Sequence, residues 1–240
     1  MRKVLIATIM MIAGLLMLLL GTVRPANANS APSSQLLTGI LNKMEKAHQE
    51  MKSLKAELIQ EKTNTQIGIT DTVFGEIIYK PAEGKAKGKL RIDYSKPNQD
   101  IVTLVGENFT LYQPRINQAL KSTLAKASKG KLNDYAGIGL LLNSSLRSLV
   151  SSYNIDYVRD ETINGQSTTV LRLTPKSNNQ SFNNIDIWVL QNGLPSQLKE
   201  VERNGDLTVI TLKNLKLNSN IPDSAFNINI PSGTKIIDRI

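Results

Sequence analysis

Two stretches of this chain, Ser53 to Lys121 and Tyr153 to Leu217, consist of short apolar-rich runs cut at close intervals by glycine, proline and asparagine. Short runs joined by short breaks leave no room for crossover helices, so neighbouring strands must pair antiparallel, as a meander. In the first stretch Leu54, Ala56 and Leu58 alternate, Val73 to Tyr79 ends at Pro81, and Lys89 to Tyr94 ends at Pro97. Ile101 to Val105 and Phe109 to Tyr112 flank Gly106-Glu107-Asn108, a hairpin signal, and Ile116 to Leu120 closes the set. The second stretch holds Tyr153 to Val158, Ser167 to Leu173, Ile185 to Leu190, Leu198 to Glu202 and Leu207 to Leu217. Asn164-Gly165, Asn192-Gly193 and Asn204-Gly205 sit between these runs. Asn-Gly is the strongest short hairpin signal, because both residues tolerate positive φ.

Two helical segments accompany the strands. From Leu36 to Met51 the residues Leu37, Ile40, Leu41, Met44, Ala47 and Met51 recur at helical spacing, with Asn42, Lys43, Glu45, Lys46 and Gln49 on the other side. Such a helix must lie on something apolar. It either packs on a core sheet or also lines a ligand cavity. A second helical stretch carries Leu132, Tyr135, Ile138, Leu141, Leu142, Leu146, Leu149 and Val150, weakened at its start by Gly137 and Gly139. The fold class is therefore mainly β with helices (α+β), with about eleven strands in one strongly curved antiparallel sheet and the helices on one side. In Ile101 to Val105 both faces are apolar, with Val102 and Leu104 opposite Ile101 and Val105. A central strand covered by helices would show this, and so would a sheet enclosing a hydrophobic cavity.

The N-terminus sets the expected compartment. Arg2 and Lys3 precede an almost unbroken apolar run from Val4 to Val23, and Ala26-Asn27-Ala28 has the small-x-small pattern of a signal-peptidase site. An uncleaved anchor is the competing reading, since the run is about as long as a bilayer-spanning helix. The polar residues that follow favour removal after Ala28, giving an exported, periplasmic protein with residues 1–28 as leader, 29–35 as polar linker and 36–240 as one domain. Arg2, Lys3 and Arg24 account for three of the nine net positive charges, so the mature chain carries +6. That surplus suits weak attraction to anionic lipid headgroups or to an acidic partner. Nucleic acid is a poor fit, because the basic residues are scattered and rarely neighbour aromatics. With no cysteine, stability must come from core burial.

A search for chemistry finds no catalytic constellation and no cofactor. His48 is the single histidine and lies in the amphipathic helix, where a surface or boundary position is the ordinary one. One histidine, no cysteine and no dense Asp/Glu cluster leave no metal site. Gly84-Lys85-Ala86-Lys87-Gly88 lies between two strands, so it is a basic hairpin loop and not a phosphate cradle. Asp160-Glu161 falls at a turn, where carboxylates are solvated.

Gly75-Glu76-Ile77-Ile78-Tyr79-Lys80-Pro81 and Lys89-Leu90-Arg91-Ile92-Asp93-Tyr94-Ser95-Lys96-Pro97 together resemble a strand pair of the LolA family of periplasmic lipoprotein carriers. The likeness continues through Ile101 to Gly106 and Phe109 to Pro114, and returns in Ile221-Pro222-Asp223-Ser224-Ala225-Phe226 and Pro231-Ser232-Gly233. The resemblance implies a single incomplete antiparallel β-barrel with a helical lid over a hydrophobic cavity that carries the acyl chains of lipoproteins. It implies acylated lipoproteins or lipid as cargo. Its other implied partners are an inner-membrane releasing transporter and an outer-membrane acceptor lipoprotein, with the carrier itself a monomer. On this template Arg91 is the lid-gating residue. The cavity or lid lining falls to Leu37, Ile40, Leu41, Met44, Leu90, Ile92, Tyr94, Val102, Leu104, Phe109, Leu111, Leu141, Leu142, Leu146 and Trp188. The alternative for Arg91 is a surface arginine whose stem covers apolar neighbours. Arg172, on a later strand, is expected to change little when removed.

Two departures from the family stand out. Ala82 to Gly88 is inserted in the first hairpin, and Val105-Gly106-Glu107-Asn108 replaces the usual Asp-Gly turn. The outer-membrane receptor of this fold needs an acylated cysteine, so the cysteine-free chain resembles the soluble carrier. A carrier of another lipid, or a sensor or regulator on the same fold, are the alternatives.

Overall fold

The computed structural model describes residues 31–123, 126, 138, 142, 146–177 and 182–238. The chain divides into two compact units, Met1–Ser34 and Gln35–Ile240, and the second holds the whole sheet. The expected leader lies outside the described residues. Helix α1 (Ala31–Glu50) starts five residues earlier than the apolar period suggests and takes in most of the expected linker. Pro32 is compatible with that start, because a proline in the first turn removes no intrahelical bond. Among the described residues no helix is long and apolar enough to cross a membrane.

Twelve strands follow in one sheet. The first six are β1 (Leu54–Asn64), β2 (Ile69–Lys80), β3 (Lys89–Lys96), β4 (Ile101–Val105), β5 (Asn108–Gln113) and β6 (Gln118–Thr123). After helix α2 (Leu146–Ser152) come β7 (Tyr153–Ile163), β8 (Gln166–Pro175), β9 (Phe182–Leu190), β10 (Pro195–Glu202), β11 (Leu207–Leu217) and β12 (Lys235–Asp238). The order is β12-β6-β5-β4-β3-β2-β1-β11-β10-β9-β8-β7, two meanders joined where β1 pairs with β11. Every pairing is antiparallel except β12 with β6. The sheet ends in two edges, β12 and β7, which makes it an unclosed, incomplete barrel.

Turn chemistry departs from expectation at two of the Asn-Gly pairs. At Asn164-Gly165 both residues have positive φ, 50° and 75°. At Gly193 and Gly205 only the glycine does, and the side chains of Asn192 and Asn204 instead accept from the backbone N–H of Leu194 and Asp206. Ile116 is not in a strand: Pro114–Ile116 is a 3₁₀ turn closed by left-handed Asn117, and β6 begins after it.

Period-two alternation places one apolar row per strand on a common face. Across the first meander Leu54, Tyr79, Leu90, Leu104 and Phe109 are register neighbours, and Ala56, Ile77, Ile92, Val102 and Leu111 form the next row. In the second, Ile210, Leu198, Ile187 and Leu171 continue the surface. Leu58, Ile77, Ile92, Leu198 and Ile210 are almost completely buried. At about 1.5–3 kcal/mol for each fully buried large apolar side chain, this face dominates the stability of the unit.

Candidate functional site

The apolar face is covered by α1. Ile40 and Met44 are buried in the same cluster as Leu54, Ile77, Leu90, Ile92, Val102, Phe109 and Leu111, while Leu37, Leu41, Tyr94 and Leu104 pack on it partly buried. Leu142 joins this cluster too. Leu141 falls outside the described residues, and Leu146 belongs to α2. Met51, read as part of the helix stripe but not of the lining, is buried in the cluster too, and sequence reasoning omitted Tyr79 and the entire β8–β11 part of the face, including Leu171, Ile187 and Leu198. The alternation of Leu54, Ala56 and Leu58 was the available signal for β1.

Two devices seat the helix. The turn between β9 and β10 lies directly against its backbone: Gly193, at φ +86°, approaches the Lys43 carbonyl so closely that a Cβ would overlap it. At the helix C-terminus Asn218, also left-handed, accepts from the Lys52 N–H at 2.7 Å and donates to the Glu50 carbonyl at 3.3 Å. Ser53 Oγ donates to the Ser219 carbonyl at 2.7 Å beside it. The helix end is therefore tied to the chain leaving β11, which satisfies groups that a bare C-terminus would leave unpaired. Between α1 and the sheet, a crevice lined by Met44, His48, Met51, Leu54, Leu142, Gly193, Leu194, Pro195 and Leu215 encloses about 30 Å³. That is room for about two or three waters at most, far below the roughly 300 Å³ at which ligand pockets begin. In this conformation side chains fill the face.

The same face becomes polar at its far end. Beyond Tyr94 the rows continue into Gln60, Val73 and Lys96, then Lys62 and Asp71, and these line a recess of about 220 Å³ with Pro97, Asn98 and Asp100. Strands β1 and β2 are longer than the apolar pattern suggests because of these polar residues.

Arg91 occupies the opposite face, alternating with buried Leu90 and Ile92. Its guanidinium grips Asp93 with two 2.7 Å hydrogen bonds and donates to the carbonyls of Ala225 at 3.1 Å and Asn227 at 2.7 Å. The hydrogen bonds to Asp93 push the Arg91 pKa up further. Among the described residues, then, Arg91 binds the C-terminal strap and not α1. That strap holds a 3₁₀ turn, Asp223–Phe226, with Ile221 and Phe226 buried. Asp223 bridges Lys89 at 2.7 Å and Lys80 at 3.2 Å, which together hold its carboxyl below the ordinary range.

Trp188 also faces away from the apolar cluster. Its neighbours Ile187 and Val189 belong to the cluster, so the pleat turns the indole to the other face of the sheet, where it stays buried and its N–H donates to Glu161. Asp186, two positions before Trp188, marks the face they share as the one opposite Ile185, Ile187 and Val189, a signal outweighed in the sequence by the apolar composition of the run. Arg172 is not idle: it makes a two-pronged bond to buried Asp186 at 2.7 and 2.8 Å. Among the described residues no group of His, Asp or Glu side chains is placed to hold a metal.

Comparison with known proteins bears on this geometry. The family model described as outer membrane lipoprotein carrier protein LolA matches residues 49–229. An uncharacterized protein of Methanocaldococcus jannaschii is 25% identical over 203 residues, 82% of this chain and 52% of the relative. The chain thus spans about half the length of that protein. An outer-membrane lipoprotein carrier protein of Cupriavidus pinatubonensis is 24% identical over 196 residues, 79% of this chain and 82% of the relative. Among solved structures, an uncharacterized conserved protein from Thermus thermophilus aligns over 85% of this chain and 100% of its own, with TM-score 0.55 and 12% identity. This last likeness concerns the fold alone.

Proposed function

This chain belongs to the LolA family of outer membrane lipoprotein carriers, and from that premise we propose that it binds the acyl chains of lipoproteins on its apolar sheet face and ferries them across the periplasm. The observation that carries the reading is the pairing of a continuous apolar face on an open sheet with helical side chains that fill it, Ile40 and Met44 from α1 and Leu149 from α2. Ile40 and Met44 occupy the place an acyl chain would take, so loading requires α1 to move and unloading lets it return.

The physical task defines the mechanism. Exposing an acyl chain with about 14 methylenes to water costs on the order of 11 kcal/mol at about 0.8 per CH₂. A carrier removes that barrier by lending apolar wall area. It must also release, and the helix supplies the means, because its own apolar side chains compete with cargo for the same surface. The empty protein is then closed and the loaded one open, with the difference set by how well Ile40 and Met44 fill the face. Arg91 acts on the back of the sheet in this scheme, holding the strap that stiffens β2 and β3, so its influence on the helix is indirect.

The test is the cargo. Mass spectrometry of material co-purifying with the protein from its native periplasm should find acylated peptides. A free glycolipid in their place would replace lipoproteins as cargo while keeping the carrier mechanism. Protein recovered without lipid, and unable to take up a fluorescent acyl probe, would reject the reading.

A further inference from the structure

The hairpin between β2 and β3 carries an ordered basic tip that the carrier mechanism does not use. Glu83 and Ala86 close a tight turn through two backbone hydrogen bonds, 3.2 and 2.8 Å, with Gly84 at φ +57° and Lys85 exposed at its apex. The Gly88 carbonyl accepts from the Gly106 N–H at 2.9 Å, docking this turn on the turn between β4 and β5. The stem of Lys87 lies so close over Gly106 that a Cβ there would collide with it. The tip is therefore held, not frayed.

Beneath it, Lys52, Lys80, Lys87 and Lys89 converge on a recess of about 460 Å³ that also includes Glu83 and Asp223. Asp223 is already engaged by Lys80 and Lys89. With Lys85 above, five lysines face two acids at the end of the sheet where α1 finishes and β1 begins.

We propose that this lysine-rich tip docks the protein on a bilayer surface bearing anionic phospholipid headgroups. Charge complementarity is the first argument: juxtamembrane lysine clusters bind such surfaces, with about a fivefold gain in partition for each residue near the headgroups. The choice of side chain is the second. All five cations are lysine, a flexible point charge suited to a fluid array of headgroups, whereas protein interfaces favour arginine and are depleted in lysine. The proposal rests on the carrier reading for its purpose, which is to bring the mouth of the apolar face to the membrane holding its cargo.

The exported protein is mixed with sedimenting vesicles of phosphatidylcholine alone or with a phosphatidylglycerol fraction, at low and high salt. Partition should require phosphatidylglycerol, fall steeply with salt, and drop about twenty-five-fold in Lys85→Gln/Lys87→Gln, two fivefold contributions. Both substitutions are exposed, so folding is expected to survive, and uptake of an acyl probe should be unchanged. Equal partition to both vesicle types, or no loss in the double variant, overturns the proposal. Salt-sensitive binding of an acidic protein without vesicle binding would overturn it as well. Loss of probe uptake in the wild type counts against the carrier reading and leaves the vesicle result standing.

Discussion

Gly193, in the turn between β9 and β10, meets the backbone carbonyl of Lys43 in the middle of α1, with no space for a side chain between them. The helix and the sheet are thus in contact backbone to backbone at one point. Two requirements coincide there: the left-handed φ of +86° and the close approach.

Gly193→Ala violates both. The left-handed conformation alone costs about 1–2 kcal/mol for a residue with a Cβ, and the overlap pushes α1 outward. Thermal stability should fall, and binding of a fluorescent apolar dye should rise as the face beneath Ile40 and Met44 becomes accessible. Lowered stability with no change in dye binding would mean that the helix does not govern access.

Arg91→Leu should free the C-terminal strap and leave α1 in place. Hydrogen bonds to a charged group are worth about 1.5–3 kcal/mol each, so losing those to Ala225 and Asn227 should speed local opening of the strap at least tenfold. Amide hydrogen exchange in residues 221–231 reads this directly. Unchanged exchange there, with faster exchange in α1, would return Arg91 to direct control of the helix.

Acid should loosen the same strap. The Asp223 carboxyl is held low in the folded state by Lys89 and then Lys80, so its contribution is present above the ordinary carboxylate pKa and is lost as pH falls through the depressed folded value. Strap opening, read as the exchange rate divided by the intrinsic rate at each pH, should therefore accelerate on acidification below the normal Asp range. In Asp223→Asn that acceleration should be absent and exchange faster already at neutral pH; a persisting acid response would assign it to another group.

The strands and most hairpins were legible because alternation and Gly, Pro and Asn punctuation are local. Long-range facts were not. Strand β12 is four residues long and pairs in parallel with a strand more than a hundred positions earlier, so no local pattern announces it. Trp188 is a different case: Asp186 two positions earlier marks its face as the one opposite Ile185, Ile187 and Val189, a local signal outweighed by the apolar composition of the run. Arg91 was visible as a singular arginine in an apolar strand, but its partners lie 134 and 136 positions away. The helix seat was hidden for the same reason, since Gly193 reads as a turn glycine and only the fold reveals that α1 rests on it.

Tyr79 gives an alkaline signature of the buried face. Burial pushes its pKa up from 10 to about 12. A raised acid contributes stability that is intact below its unfolded pKa and is lost as pH rises through the folded value, so the loss falls between about pH 10 and 12. Two units correspond to about 2–3 kcal/mol. Tyrosinate absorbance should show a last step near pH 12 that Tyr79→Phe removes, and alkaline unfolding of that variant should begin at higher pH. A titration with no late component would place the hydroxyl in water.

The last prediction concerns helix movement itself. Met44 on α1 and Leu194 beside the β9–β10 turn line the same crevice, and the chain has no cysteine of its own to interfere. Met44→Cys with Leu194→Cys, joined as a disulfide or by a short dithiol linker, should fix α1 on the sheet. If Ile40 and Met44 must leave before an acyl chain can enter, the joined form should take up a fluorescent acyl probe at least tenfold less than the reduced form of the same variant, since locking removes the competent state. Comparing the two forms of one protein cancels any cost of the substitutions themselves. Thermal stability should rise on joining, because the link restricts the unfolded chain. Equal uptake by joined and reduced protein would show that cargo reaches the sheet without passing α1, and would shift the gate to the opposite, polar end beyond Tyr94 and Gln60.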